Sequence, residues 1–143
     1  MTDYLSNSNF RKPTTADLQG LFVKDEFLMD SEVVFDKMHP LMIYLLVQLR
    51  KRTGIPMILN STYRSPEKNR RVGGARNSRH LKGQAVDFRV NSSKDRATFI
   101  KEALNLGLSV GVMRNALHVD IRAFDTPGIK FDESKQVVFH YYN

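Results

Sequence analysis

Two stretches constrain the fold more than anything else in the chain. QAVDFRV (84–90) and ALHVDIR (116–122) alternate apolar and polar side chains with a period of two. In the first, Val86, Phe88 and Val90 fall on one side, with Ala85, Asp87 and Arg89 on the other. In the second, Leu117, Val119 and Ile121 oppose Ala116, His118, Asp120 and Arg122. Period two is the signature of a strand with one face on a core. On alternation alone, the polar sides read as solvated faces. SVGVM (109–113) leads into the second stretch through a tight turn at Arg114 and Asn115, which predicts a hairpin. MILNSTYR (57–64), bounded by Pro56 and Pro66, and VVFHYY (137–142) read as further strands.

Helical patterns lie between them. One runs from Ser31, a candidate N-cap, to Arg52, with a kink or break at Pro40 and a stop at Gly54. Its most apolar part, LMIYLLVQL (41–49), is too short to span a bilayer and reads as buried. NSSKDRATFIKEALNLG (91–107) is capped by Ser92 or Ser93 and stopped by Gly107. Thr14, Thr15 and Asp17 open a short helix ahead of Leu18, Leu21 and Phe22. Helices first, then strands with one helix between them, predict an α+β fold: a mostly antiparallel sheet with helices packed on one side. We expect a single domain over 1–143, with residues 1–30 an N-terminal extension and the motif-bearing core at about 40–122.

Residues 65–82 are rich in Gly, Asn, Ser and Arg and predict a long loop with a helical turn near Glu67–Arg71. Loops of this length inside a compact domain are usually functional. The loop ends in SRHLKGQAVD (78–87). Gly83 lets the chain turn sharply or approach a neighbour closely. His80 and Asp87 then meet at one point, Ala85 leaves room beside them, and His118 arrives from a neighbouring strand. The chain has no cysteine, which excludes disulfides, thiolate metal sites and cysteine nucleophiles. Two imidazoles and a carboxylate are a common catalytic zinc set, with water in the fourth position. The remaining histidines read as structural: His39 precedes Pro40 at a helix start, and His140 alternates with Val138 and Tyr142 in the last strand. The Phe and Tyr residues are read as mostly core.

The pattern Ser78-x-His80-x-x-Gly83-x-Ala85-x-Asp87, followed by His118-x-Asp120 and preceded by TYRSPEKNRRVGG (62–74), resembles a known family. That family is the zinc D-Ala-D-Ala carboxypeptidases and their relatives, including the vancomycin-resistance D,D-dipeptidases and the L-alanyl-D-glutamate endopeptidases of phage lysins. The resemblance covers roughly 40–122. It implies that His80, Asp87 and His118 bind Zn2+, that Arg64 pairs with the substrate or the developing oxyanion, and that Ser78 orients the substrate. It also implies the activity: a zinc metallopeptidase, carboxypeptidase or endopeptidase, hydrolysing D-amino-acid-containing stem peptides of bacterial peptidoglycan. The expected role is a phage lysin or virion-associated wall hydrolase.

The sequence departs from the family at one place. Several members carry Glu or Asp three residues before the second histidine, as general base; here that residue is Asn115. Asp120, on the same strand face as His118, is then either the base or the carboxylate that orients His118. The alternative is a weakly active or inactive zinc-fold module with a structural or wall-binding role.

Charge bears on partners. The formal net charge is +7 and the pI about 9.8, which favours an anionic partner. The basic residues are spread over 50–52, 68–71, 76–82 and 89 with little aromatic interleaving, and no helix-turn-helix or RNA-binding signature appears. Charge alone leaves nucleic acid, a membrane surface or an anionic polymer such as a bacterial cell wall; the missing signatures weigh against nucleic acid, and the resemblance implies peptidoglycan as the partner. MTDYLSNSNF lacks a signal-peptide pattern. The expectation is synthesis in the cytoplasm, followed by holin-mediated release or carriage in a virion.

Overall fold

The structure, a computed structural model, describes residues 3–140, with Asn7 as backbone alone. Its regular elements are β1 (Leu28–Met29), β2 (Glu32–Val33), α1 (Pro40–Thr53), β3 (Ile58–Ser61), α2 (Pro66–Arg71), β4 (Ala85–Arg89), α3 (Ser93–Asn105), β5 (Ser109–Val112), β6 (Ala116–Asp120) and β7 (Val138–His140). Short 3-10 turns join them. β1 and β2 form a small hairpin; the other strands make one sheet in the order β3-β4-β6-β5-β7. The fold is α+β, as the alternation predicts.

β3/β4, β4/β6 and β5/β6 pair antiparallel, whereas β7 runs parallel to β5, so the sheet is mixed. The parallel edge follows from the route of the chain. β6 ends beside the start of β5, where Asp120 pairs with Ser109. The segment after β6 stays at that end of the sheet and enters β7 there, with Val138 opposite Val110. Tyr141 and Tyr142, which the sequence places in this strand, lie outside the described residues.

Helix α1 begins later than the sequence pattern suggests. Ser31 is not an N-cap: Asp30 and Ser31 both have positive φ, 51° and 69°, and form the tip of the β1–β2 hairpin. The helix starts at Pro40, in the first turn, where a missing N–H costs nothing. His39 caps it, its Nδ1 accepting from the Leu41 N–H at 3.1 Å. Gly54, with φ 66°, ends it as expected. α3 starts after the Ser92 cap, whose side chain accepts from the Asp95 N–H.

Val86, Phe88, Val90, Leu117, Val119 and Ile121 are all buried in one cluster with Met42, Ile43, Leu46 and Leu49 of α1 and Phe99 and Ala103 of α3. Phe88 meets Phe99 edge-on at 4.8 Å. Leu5, Leu18, Phe22 and Phe27 join the same cluster, so the N-terminal residues are part of the core. The opposite sheet face carries Asp87 and His118. It is not solvated: both residues are buried, and segment 62–82 lies over it.

Candidate metal centre

Each side chain of the centre is set by a local device. Ser78 accepts from the His80 N–H at 3.2 Å and so opens the 3-10 turn Arg79–Lys82 that carries His80. Gly83 closes the turn with φ 65° and packs against the segment before α1, where its carbonyl accepts from the His39 N–H at 3.0 Å. A β-carbon at 83 would collide with the Lys37 carbonyl oxygen and lie 2.7 Å from Met38 Cα. The sequence assigned this glycine a sharp turn or a close approach; it provides both.

Asp87 and His118 come from neighbouring strands in direct register. They belong to one row across the whole sheet: Ser61 opposite Asp87, Asp87 opposite His118, His118 opposite Gly111, and Gly111 opposite Phe139. Ser61 reaches Asp87 because β3 is irregular between Leu59 and Ser61, where Asn60 is an extra residue.

His80 Nε2 lies 3.1 Å from Asp87 Oδ1, and His118 Nδ1 lies 2.9 Å from the same oxygen. The imidazoles meet edge to face at 5.2 Å. The far nitrogen of each ring has its own acceptor. His80 Nδ1 lies 2.7 Å from the Thr62 carbonyl oxygen, and His118 Nε2 lies 2.7 Å from Asp120 Oδ2. The Thr62 carbonyl can only accept, so His80 Nδ1 carries a proton; His118 faces a carboxylate on both sides, and a cation beside Asp87 selects the form with the proton on Nε2, toward Asp120. With a cation bound, the lone pairs of His80 Nε2 and His118 Nδ1 are the ones on the Asp87 side. One ligand atom from each of the three residues lies within 4.8 Å of the others. Two nitrogen lone pairs and a carboxylate oxygen converging without a proton fit a divalent cation, and the outer acceptors are those metal-bound histidines require.

Without a cation, a proton takes that place. Burial works to lower the pKa of His118, but hydrogen bonds to Asp120 and Asp87 outweigh it and push the pKa up to about 9. Burial likewise acts to raise the two carboxyls. The hydrogen bonds of His118 and His80 nevertheless hold Asp87 well below the usual carboxylate range, and those of His118 and Arg122 do the same for Asp120.

A cleft of about 1060 Å³ opens over the centre, with Asp87 and His118 in its wall. Arg64 and Ser78 line it from the covering segment. The Arg64 backbone N–H donates to the His80 carbonyl at 2.9 Å, and its Nη1 donates to Asn69 Oδ1 at 3.0 Å. Asn69 is buried, and its own amide donates to the Ala75 carbonyl. Arg122 and Phe139 line the cleft as well. Among the described residues, Asp87 is the one carboxylate in that wall, against Arg64, Lys68, Arg76, Arg79 and Arg122.

The structure therefore brings His80, Asp87, His118, Arg64 and Ser78 to one place. Asp120 is fully buried behind His118, with Oδ2 taken by His118 and both oxygens by Arg122. Asn115 is exposed at the opposite end of β6 from Asp120. His39 caps α1 and His140 is exposed on β7; neither lines the cleft. Thr62, Arg122 and Phe139 were not singled out from the sequence, and Asn69 entered only as part of the 62–74 motif, without a role. Arg122 left a signal as a charge on the His118 face of its strand. Thr62 acts through a backbone carbonyl, which no side chain announces.

A family model described as Peptidase M15 matches residues 4–120. No curated protein matches the chain.

Proposed function

Because the chain belongs to the peptidase M15 family, whose members are metal-dependent, we propose that it is a zinc peptidase that hydrolyses D-amino-acid-containing stem peptides of bacterial peptidoglycan, serving as a phage lysin or virion-associated wall hydrolase. The observation that carries this reading is the convergence of His80, Asp87 and His118 with both outer ring nitrogens already held. Zn2+ held by these three residues supplies Lewis acidity, polarising a peptide carbonyl and activating water.

The chain's own groups do the rest. Arg64 offers its guanidinium to a substrate carboxylate or to the charge growing on the carbonyl oxygen. Asn69 fixes where that guanidinium stands. Ser78 holds the turn of His80 and presents its hydroxyl to the cleft. Asp120 orients His118 rather than acting as the base, because its oxygens are occupied by His118 and Arg122. The wall is cationic, which suits a peptide bearing carboxylates, although Lys68, Arg79 and Arg122 already pair with Asp30, Asp125 and Asp120.

A second reading, a metal-bearing module that binds the wall without cutting it, draws on one observation. Among the described residues, the cleft wall has no carboxylate besides Asp87 to accept a proton. One experiment separates the two. The purified protein is incubated with peptidoglycan, with and without a chelator. New amino termini that the chelator abolishes support the peptidase; metal bound at unit stoichiometry with no release supports the module.

A further inference from the structure

The match to the family ends at residue 120, yet two residues beyond it stand at the centre. Arg122 donates from Nε to Asp120 Oδ1 at 2.9 Å and from Nη2 to Asp120 Oδ2 at 2.6 Å. The Arg122 backbone N–H also donates to Asp120 Oδ1, at 3.0 Å. Asp120 in turn holds His118. The Arg122 guanidinium lies over the Phe139 ring, 4.9 Å from its centroid. The same ring meets His118 edge-on at 5.4 Å. Between them in the shared row stands Gly111 of β5, which places no side chain there.

We infer that Arg122 is a positioning residue for the metal centre, acting through Asp120 on His118, and that Phe139, delivered by the parallel edge strand, walls both in place. The inference rests on the reading of His80, Asp87 and His118 as metal ligands. Its physical basis is geometric. Asp120 has no other side-chain donor than His118 and Arg122 among the described hydrogen bonds. A carboxylate gripped side-on by a planar guanidinium has one orientation; gripped by a lysine it has several. The imidazole it accepts from inherits that freedom. Phe139 packs against the face of the guanidinium and the edge of the imidazole, so it restricts the space either can move into.

The test uses Co2+ alone as probe on the full chain, reading affinity by competition with a chelating dye and ligand geometry by the visible absorption of the bound ion. Arg122→Ala is expected to weaken Co2+ binding by about 10–100-fold and to change the visible bands, with the metal-free variant still folded by circular dichroism. Arg122→Lys recovers part of the affinity, and Phe139→Ala shows a smaller loss with the same spectral change. Arg114→Ala, in the exposed β5–β6 turn, behaves as the parent chain. Parent-like affinity and spectrum in Arg122→Ala overturn the inference; where that variant does not fold, the same result in Arg122→Lys and Phe139→Ala overturns it. A parent chain that binds no Co2+ removes the metal-centre reading itself, and the inference with it.

Discussion

At the scale of single residues, the proposed function makes the centre a place where a metal ion takes over from a proton. His118 is protonated in the metal-free protein to about pH 9, against an ordinary value near 6.5. A raised histidine contributes stability that is fully present below about pH 6.5 and is lost as pH rises through 9. Thermal unfolding of the chelated protein should therefore show a falling midpoint over that window, and the loaded protein should not. Metal affinity should rise across the same window, because His118 must release its proton first; a dye competition at several pH values measures it. Asp87→Asn removes the charge on which both imidazoles converge and should abolish stoichiometric metal binding and any peptidase activity. Gly83→Ala should cost more than about 1 kcal/mol, because it combines a positive φ with a collision against backbone; chemical denaturation reads it. These residues were legible beforehand through their spacing, a histidine and an aspartate with a glycine between them and a second histidine downstream, and through the family pattern that spacing resembles; their burial was not, since alternation alone left Asp87 and His118 on solvated faces. The roles of Asn69, Arg122 and Phe139 were not legible, since their neighbours are set by tertiary contacts rather than by spacing.

At the scale of elements, the helix starts carry the sharpest expectations. His39 caps α1 through a neutral ring nitrogen, and burial holds its pKa down to about 4. A depressed histidine contributes stability present above about pH 6.5 and lost as pH falls through 4. The metal-free protein should thus weaken on both sides of pH 6.5, from His39 on the acid side and His118 on the alkaline side. His39→Asn keeps a cap without the ionisation, and the acid limb of the midpoint–pH curve should flatten in that variant. Ser92→Ala removes the α3 cap and should cost about 1 kcal/mol. The alternating strands and α3 were readable from the chain because pattern, caps and stop residues agree there. The start of α1 was misread because Ser31 is as good in a turn as in a cap. The hairpin tip at Asp30 and Ser31 depends on two positive φ values that no periodicity marks. The parallel edge was unreadable for a different reason: the direction of β7 is fixed by where β6 ends, not by the residues of β7.

At the scale of the whole molecule, the proposed peptidoglycan substrate implies that the excess of positive charge governs encounter with an anionic wall. Raising salt from about 0.05 to about 0.5 M should slow release from intact peptidoglycan more than hydrolysis of a short soluble stem peptide, because screening acts most on long-range attraction. The row from Ser61 to Phe139 has a further consequence, for how the molecule acquires its centre. The contributing groups come from strands whose partners are separated by many residues, with α3 inserted between Asp87 and His118. Contacts of such high order form late, after the local helices. No short excised piece of the chain should hold the ion, and during refolding the capture of metal should lag behind the recovery of helical signal. Added Zn2+ should then leave the early phase unchanged and slow only the return to the unfolded state.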